Sequence, residues 1–409
     1  MRLLVLSQYY WPESFQINDV VASLVRQGVA VEVLTGKPNY PSGRIFSGYR
    51  TRGCGRQRHQ GALIHRVPLL ARGRGAWRLA LNYLSFVLSG LVCGPAILRN
   101  RRFDAILVYA PSPVLQALPA VLLGRLKGCP VALWVQDLWP ESLSATGYLT
   151  NRAALGLVEK AVAFIYRHTD LLLVPSPAFE APIRALAHRT SIVYHPNSAE
   201  ETFALPARGE PPAVEGLNSG FSVLFAGNIG SAQAVETIVE AASRLKAYPD
   251  IHFVVLGDGS RREWMRRQAR ERDLHRLHLP GRFPVETMPA LMQRASALLV
   301  TLADRAIFRA TVPSKVQAYL AAGRPILASL NGEGARLVTM AGAGLAVPAE
   351  DGVALADAVL ALYRMSPEQR EAMGTRGRAC YRRHFAHEML VDRLIGHLRS
   401  MRQGRKGPS

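Results

Sequence analysis

Cysteine is scarce in this chain and carries no pattern. Cys54, Cys93, Cys129 and Cys380 lie far apart in 409 residues, with no CxxC pair and no histidine at ligand spacing. A disulfide framework and a zinc site are therefore not indicated, and a reducing compartment is suited. No Asp-x-Asp triplet occurs, so the carboxylate clamp that would hold a divalent cation on a phosphate is missing. The start is apolar only from Leu3 to Leu6 before Ser7-Gln8, too short for a signal-peptide core and better read as a first buried strand. No internal repeat is present, and the one polar, frayed stretch follows Met401. Acidic residues are missing altogether from Val33 to Phe103.

What is present starts with charge. The 50 basic and 30 acidic residues leave a formal charge of +20, and a strong positive field draws phosphates, nucleic acid or anionic lipid. The stretch without acids holds Lys37, Arg44, Arg50, Arg52, Arg56, Arg58, Arg66, Arg72, Arg74, Arg78, Arg99, Arg101 and Arg102. Within it, Leu79 to Leu98 is uncharged and long enough in principle to cross a bilayer. Three placements are open: a helix buried against a sheet, an interfacial helix in the headgroup layer, or a span. Asn82, Ser85, Ser89, Gly90, Gly94 and Pro95 interrupt the run, and a span would divide one domain across the membrane. Nucleic-acid binding rests on charge alone, without a recognition motif.

With 49% hydrophobic residues the chain can bury a large core, and its length favours two domains. Short apolar runs alternate with helical patterns: Leu3–Leu6, Ala30–Leu34, Ala62–Val67, Ala105–Tyr109, Val131–Val135, Leu171–Val174 and Ser191–Tyr194. Such alternation predicts βαβ units and a parallel sheet covered on both faces. Ile17, Val20, Val21, Leu24 and Val25 repeat at helical spacing before Gly28. A Pro- and Gly-rich connector spans 205–220. A second α/β set follows, with strands at Ser222–Phe225, His252–Leu256, Leu277–Leu279, Ala297–Thr301, Ile326–Ser329 and Gly344–Val347.

Ligands of open parallel sheets bind beyond the carboxyl ends of the strands. There, Gly227-Asn228-Ile229-Gly230-Ser231 precedes a helix and offers small residues and free amides, which suit a phosphate or make a plain tight turn. Asp258, in Gly257-Asp258-Gly259-Ser260, is read as a cap or turn residue, and the arginines that follow as a solvated face. Pro313-Ser314 starts a helix that presents Lys315 beside its own amino end, a good diphosphate clamp. Gly323 and Pro325 end that helix.

The motifs SQYYWPESFQIND, LTGKPNYPSG, WVQDLWPES, YHPNS, FAGNIGSAQAVETIVEAA, VLGDGSRR and VPSKVQAYLAAGRPILA run through nearly the whole chain. Together they resemble the retaining glycosyltransferases of GT-B fold (family 4-like). The likeness is to the branch that builds bacterial exopolysaccharide, O-antigen and colanic acid, with fucosyl and N-acetylfucosaminyl transferases among its members. The resemblance implies an α/β chain of two facing Rossmann-like domains. An acceptor domain is expected at 1–204 with a membrane-facing segment at 37–102, then a linker at 205–220. A nucleotide-sugar domain follows at 221–380, a crossing helix at 381–402 (with Phe385–Leu398 as the final helix that crosses back), and a tail at 403–409.

The resemblance also assigns roles. Donor contacts are expected from Gly227, Asn228, Gly230, Ser231, Gln233, Asp258, Arg282, Ser314, Lys315 and Gln317. Asn228 and Gln233 stand where many members carry Arg and Lys, so Lys315, the amides at Gly230 and Ser231, and Arg282 or Arg309 must meet the phosphate charge. The family's paired glutamates fall on Ala310 and Ala318, which leaves Gln317 for the ribose. Gln136 replaces a histidine. Asp137 and Glu141 are the candidates to bind sugar hydroxyls or polarise the acceptor, with helix capping as the alternative, and they join Lys315 as the catalytic set. Acceptor contacts are expected from Gln8, Tyr10, Glu13, Asn18, Tyr40, Tyr109 and Ser112. Phe15-Gln16 replace a double glycine common in the family.

The resulting expectation is a metal-independent, retaining glycosyltransferase without cofactor. It would move a hexose or deoxyhexose, with fucose or N-acetylfucosamine in view, from a UDP- or GDP-sugar to a polyprenyl-diphosphate-linked oligosaccharide. Its place would be the cytoplasm, peripheral to the inner face of the cell membrane, on an anionic surface and without nucleic acid. A non-catalytic assembly scaffold and a nucleotide-sugar 2-epimerase of the same fold are the alternatives.

Overall fold

The computed structural model describes residues 1–73, 75–145, 149, 151–199, 203 and 212–405. Arg74, the first part of the expected connector (205–211) and the end of the tail (406–409) lie outside the described residues. The chain divides into two compact units, Met1–Pro196 with Glu388–Ser409, and Asn197–His387.

The first unit is built on eight strands: β1 (Arg2–Leu6), β2 (Ala30–Thr35), β3 (Gly55–His59), β4 (Ala62–Arg66), β5 (Ala105–Ala110), β6 (Val131–Val135), β7 (Leu171–Val174) and β8 (Ser191–Tyr194). Their order is β3-β4-β2-β1-β5-β6-β7-β8, parallel throughout except that β3 runs antiparallel to β4. β1, β4, β5, β6 and β7 are buried along nearly all their length, which is why they read as continuous apolar runs. β3 was not expected. Its sequence, GRQRH, puts Arg56 and Arg58 outward on an edge, where charge blocks further strand pairing. It turns into β4 through Gln60 and Gly61, both at positive φ (44° and 81°), as a tight hairpin requires.

Helix α1 (Ile17–Arg26) buries Ile17, Val20, Val21 and Leu24, the periodic face read from sequence. The last helix, His387–Arg405, adds Val391, Leu394, Ile395 and Leu398 to the same core, and Arg26 pairs with Glu388 at 2.8 Å.

The apolar run forms α2 (Ala76–Ile97), which is long and apolar enough to cross a membrane. Only 28% of its most apolar stretch is buried, and those residues share one face: Asn82, Phe86, Val87, Gly90 and Gly94. The interruptions explain the packing. A Cβ on Gly90 would lie 2.7 Å from Pro119 of α3 (Leu118–Lys127), so glycine lets the two helices close up. Asn82 is fully buried, accepting from Gln8 at 2.7 Å and donating to the carbonyl of Leu70 at 2.6 Å.

The second unit holds six parallel strands: β9 (Phe221–Asn228), β10 (Ile251–Asp258), β11 (Leu277–Gly281), β12 (Ala297–Thr301), β13 (Ile326–Ser329) and β14 (Gly344–Val347). Their order is β11-β10-β9-β12-β13-β14. In both sheets the chain reverses direction of travel once, between β1 and β5 and between β9 and β12. Those two switch points are where such sheets open a crevice at their carboxyl edges.

Candidate functional site

In the second unit, β9 delivers Gly227 and Asn228 to its switch point, and a short turn (Ser231–Gln233) leads into the helix Val235–Arg244. The loop is clamped to the end of β12, since Ala303 donates to the carbonyl of Ala232 at 3.0 Å and the Thr301 hydroxyl to that of Gln233. Asn228 and Gln233 serve the loop itself. The Gln233 Oε1 accepts from the Gly230 amide at 3.2 Å and from the Asn228 side chain at 3.1 Å. The next loop lies against this one, and a Cβ on Gly257 would fall 1.8 Å from the carbonyl oxygen of Gly227. Close backbone approach of this kind leaves amides rather than side chains to line the edge.

Lys315 enters from the helix Ser314–Ala322, whose first turn follows Pro313. Its stem crosses Gly227, where a Cβ would meet Cε at 2.6 Å, and its Nζ rests 3.7 Å above the ring of Phe225. The ammonium is buried and has no hydrogen-bond partner. Desolvation pulls its pKa down to about 7. Gln317, on the same helix, is 1% exposed, with its Oε1 equally unpartnered. Ser314 is exposed at the helix start. The other cations expected near a phosphate are engaged: Arg309 holds Asp304 through two bonds of 2.7 Å, and Arg282, itself exposed, lies 3.6 Å from Asp258. Asp258 also caps its own turn through the amide of Gly259 at 2.9 Å.

In the first unit, the carboxyl edge carries the loops that follow β1, β2, β5 and β6. Each contains a cis Xaa-Pro bond, at Pro12, Pro41, Pro113 and Pro140. Glu13 is 2% exposed and ties two loops together, accepting from Asn39 and Tyr40 at 2.7 Å each and from Tyr10 at 3.4 Å. Burial raises its pKa in spite of those bonds. Asn18 bonds the Trp11 amide at 3.0 Å and the Glu13 carbonyl at 2.7 Å. The Gln8 amide donates to Gln116 across the switch point at 2.7 Å. Tyr10 and Tyr109 are core residues, Tyr109 edge-on to Trp134 at 5.4 Å. Ser112 is half-buried and Tyr40 is exposed at the same edge. Phe15 stacks on Tyr9 at 5.2 Å and packs against Tyr40 at 5.3 Å, filling the space that two glycines would leave open.

After β6, Asp137 accepts from the Trp139 indole at 3.3 Å, and burial pushes its pKa up to about 6. That places a carboxylate close to the range of a working general base. Glu141 opens the short helix α4 (Glu141–Ala145) and is exposed. Sequence reasoning missed Arg66, 1% exposed, whose terminal nitrogens reach the carbonyls of Gly36 (2.9 Å) and Trp11. Among the described residues no three His, Cys, Asp or Glu side chains converge as metal ligands would.

Two family models match this chain in succession. Residues 15–198 match the glycosyl transferase 4-like domain, and residues 220–365 match the glycosyl transferases group 1. The chain is a glycosyltransferase. The enzyme is 26% identical over 345 residues to WcaI of Escherichia coli, named for colanic acid biosynthesis, covering 79% of this chain and 82% of that one. It is 31% identical over 265 residues to the glycosyltransferase WbjE of Pseudomonas aeruginosa, covering 63% and 66%. Among solved structures, an α,α-trehalose-phosphate synthase from Burkholderia vietnamiensis matches with a TM-score of 0.74 at 14% identity, covering 98% of this chain and 96% of that one. A sucrose-phosphate synthase from Thermosynechococcus elongatus gives 0.71 at 17%, covering 98% of both. The Anabaena protein HepE, solved in complex with UDP, gives 0.66 at 13%, covering 98% and 100%. These structural likenesses establish the fold of the glycosyltransferase, which is GT-B.

Proposed function

We propose that this glycosyltransferase is a retaining, metal- and cofactor-independent hexosyltransferase of bacterial surface-polysaccharide synthesis. It transfers a hexose or deoxyhexose, with fucose or N-acetylfucosamine as the sugars in view, from a UDP- or GDP-sugar to a polyprenyl-diphosphate-linked oligosaccharide. It works in the cytoplasm, at the inner face of the cell membrane. The polysaccharide reading draws on WcaI, whose name refers to colanic acid. The donor reading draws on HepE, which holds UDP on the same fold.

One observation carries the donor reading: a buried ammonium, Lys315, with no hydrogen-bonding partner at the switch point of the second sheet. A desolvated cation in that position is uncompensated until an anion arrives, and a diphosphate supplies the charge. As the bond between the sugar's anomeric carbon and the diphosphate breaks, negative charge grows on the leaving phosphate. The ammonium meets that charge without rearrangement, the form of stabilisation that contributes most in such reactions. The leaving phosphate takes the proton of the acceptor hydroxyl as the new glycosidic bond forms on the same face. Asp137 and Glu141 bind sugar hydroxyls or polarise the acceptor in this scheme. Gln317 offers its unpartnered oxygen to a ribose hydroxyl, and the amides at Gly230 and Ser231 complete the phosphate site.

A non-catalytic scaffold is the rival, favoured by Ala310 and Ala318 where the resembling family carries glutamates. Thermal stabilisation by UDP, GDP and their sugars, with and without EDTA, separates the two. A chelator-insensitive rise in melting temperature with one nucleotide class is expected and names the base. No rise with any of them at millimolar concentration overturns the donor reading and leaves the scaffold.

A further inference from the structure

Helix α2 shows two faces of opposite meaning. Its inner face is fixed to the first sheet by Asn82 and by the close approach of α3 at Gly90. Its outer face carries Trp77, Leu81, Leu84, Leu88 and Val92, exposed by 64, 39, 50, 62 and 74%. These five follow one another at spacings of four, three, four and four, which places them in one stripe along a helix. A stripe of large apolar side chains with this exposure is not a packing remainder; scattered single residues are normal, a contiguous row is a contact surface.

The charge around the stripe identifies the contact. Arg78 stands at the amino end, over the ring of Trp77 at 5.2 Å. Arg99 and Arg102 follow the carboxyl end, and neither has an ion pair among the described residues. Lys127 of α3 is tied there, donating to the carbonyl of Arg99 at 2.9 Å. Next to it Leu126 is 60% exposed. No acidic residue occurs anywhere between Val33 and Phe103. A second copy presenting the same face would bring like charges together, whereas phosphate headgroups over an acyl layer match both the apolar row and the cations at its ends.

We propose that the outer face of α2 docks on an anionic lipid bilayer, the helix lying in the headgroup layer with its apolar row in the acyl boundary and Arg78, Arg99 and Arg102 on lipid phosphates. The inference deepens the reading of a lipid-linked acceptor and rests on it for its purpose. The inner face of α2 explains how docking serves that purpose. Tyr83 packs edge-on to Trp139 at 6.4 Å, and Asn82 bonds Gln8, so the docked helix is fastened to the same loops that follow β1 and β6. A headgroup-bound helix therefore holds those loops at the level where a membrane-held diphosphate emerges. The buried Asn82 keeps the helix from leaving the sheet to span the bilayer.

The test is co-sedimentation of the full chain with vesicles of phosphatidylcholine alone and of equal parts phosphatidylcholine and phosphatidylglycerol. The wild type is expected on the mixed vesicles and much less on the neutral ones, with binding weakened by salt. Leu84→Asp with Leu88→Asp should lower partitioning by about tenfold for each leucine. Arg99→Glu with Arg102→Glu should lower it several-fold on the mixed vesicles alone. All four positions are exposed, and each variant's melting temperature and its shift with nucleotide check that it is folded. Absence of vesicle binding, or binding indifferent to the leucine changes, overturns the proposal. So does self-association that those changes abolish, which would assign the stripe to a second copy, or resistance of the bound protein to alkaline carbonate, which would make α2 a span. If vesicles bind as expected while no nucleotide shifts the wild type, the docking surface stands and the donor reading falls.

Discussion

The two units bury charge in opposite ways. In the first, Glu13 accepts three backbone amides and Arg66 donates to two carbonyls, so both ions hold loops that follow β1 and β2. In the second, Lys315 buries its ammonium against a ring face and bonds nothing. Burial alone does not distinguish architecture from a binding site, because each group loses its hydration. Hydrogen-bond accounting does. A charge met by backbone groups, as the Glu13 carboxylate is, stabilises the loops around it, while an ammonium with no hydrogen-bond partner carries a desolvation penalty that an anionic ligand, or loss of its proton, relieves.

The sharpest way to break this contrast is Lys315→Met, which keeps the stem packed over Phe225 and deletes the charge. Turnover with a sugar nucleotide should fall by about a hundred- to a thousandfold, the usual consequence of removing one preorganised charge donor. The melting temperature should not fall, since an uncompensated buried ion disappears. Retained turnover would remove Lys315 from the diphosphate. The counterpart in the first unit is Glu13→Gln, which turns an acceptor toward the Tyr10 amide into a donor. Stability should drop by about 1–3 kcal/mol in a denaturant titration, while the nucleotide-induced shift is unchanged. Unchanged stability with a raised KM for acceptor would instead put the carboxylate on the substrate.

This contrast also marks what can be read before coordinates. The parallel strands and α1 are legible because full burial writes itself as continuous or periodic apolar sequence. β3 is not, because an edge strand of alternating arginines has no apolar face to recognise. Asn82 reads as a flaw in an apolar run, yet it fastens α2 to Gln8 and Leu70, partners 74 and 12 residues away that no local pattern reveals. Lys315 is legible, since Pro-Ser-Lys at a helix start is a local signal. That Arg309 and Arg282 face carboxylates, and that Gln233 and Asn228 face each other, depends on which loops meet. A sequence names the groups able to bind phosphate, and only the fold decides which of them is left unpaired.

The smallest expected effect is also the most specific, because its sign follows from the lysine alone. Desolvation pulls the Lys315 pKa down to about 7 in the folded protein. In the unfolded chain a lysine keeps its proton to about pH 10. Between those limits the unfolded state binds the extra proton, so the contribution of this group to stability rises with pH from about 7 to about 10 and is flat below. A bound diphosphate reverses the preference by restoring the charge. Binding of a UDP- or GDP-sugar, whose phosphates do not titrate in this range, should take up a proton above pH 7. Affinity should then weaken by about tenfold per pH unit there. Calorimetry in two buffers of different ionisation enthalpy counts the proton, and the slope should vanish in Lys315→Met. An affinity independent of pH from 6 to 9 would mean that the face of Phe225 keeps the ammonium charged without a ligand. The contrast between the paired and the unpaired buried ion would then be one of degree.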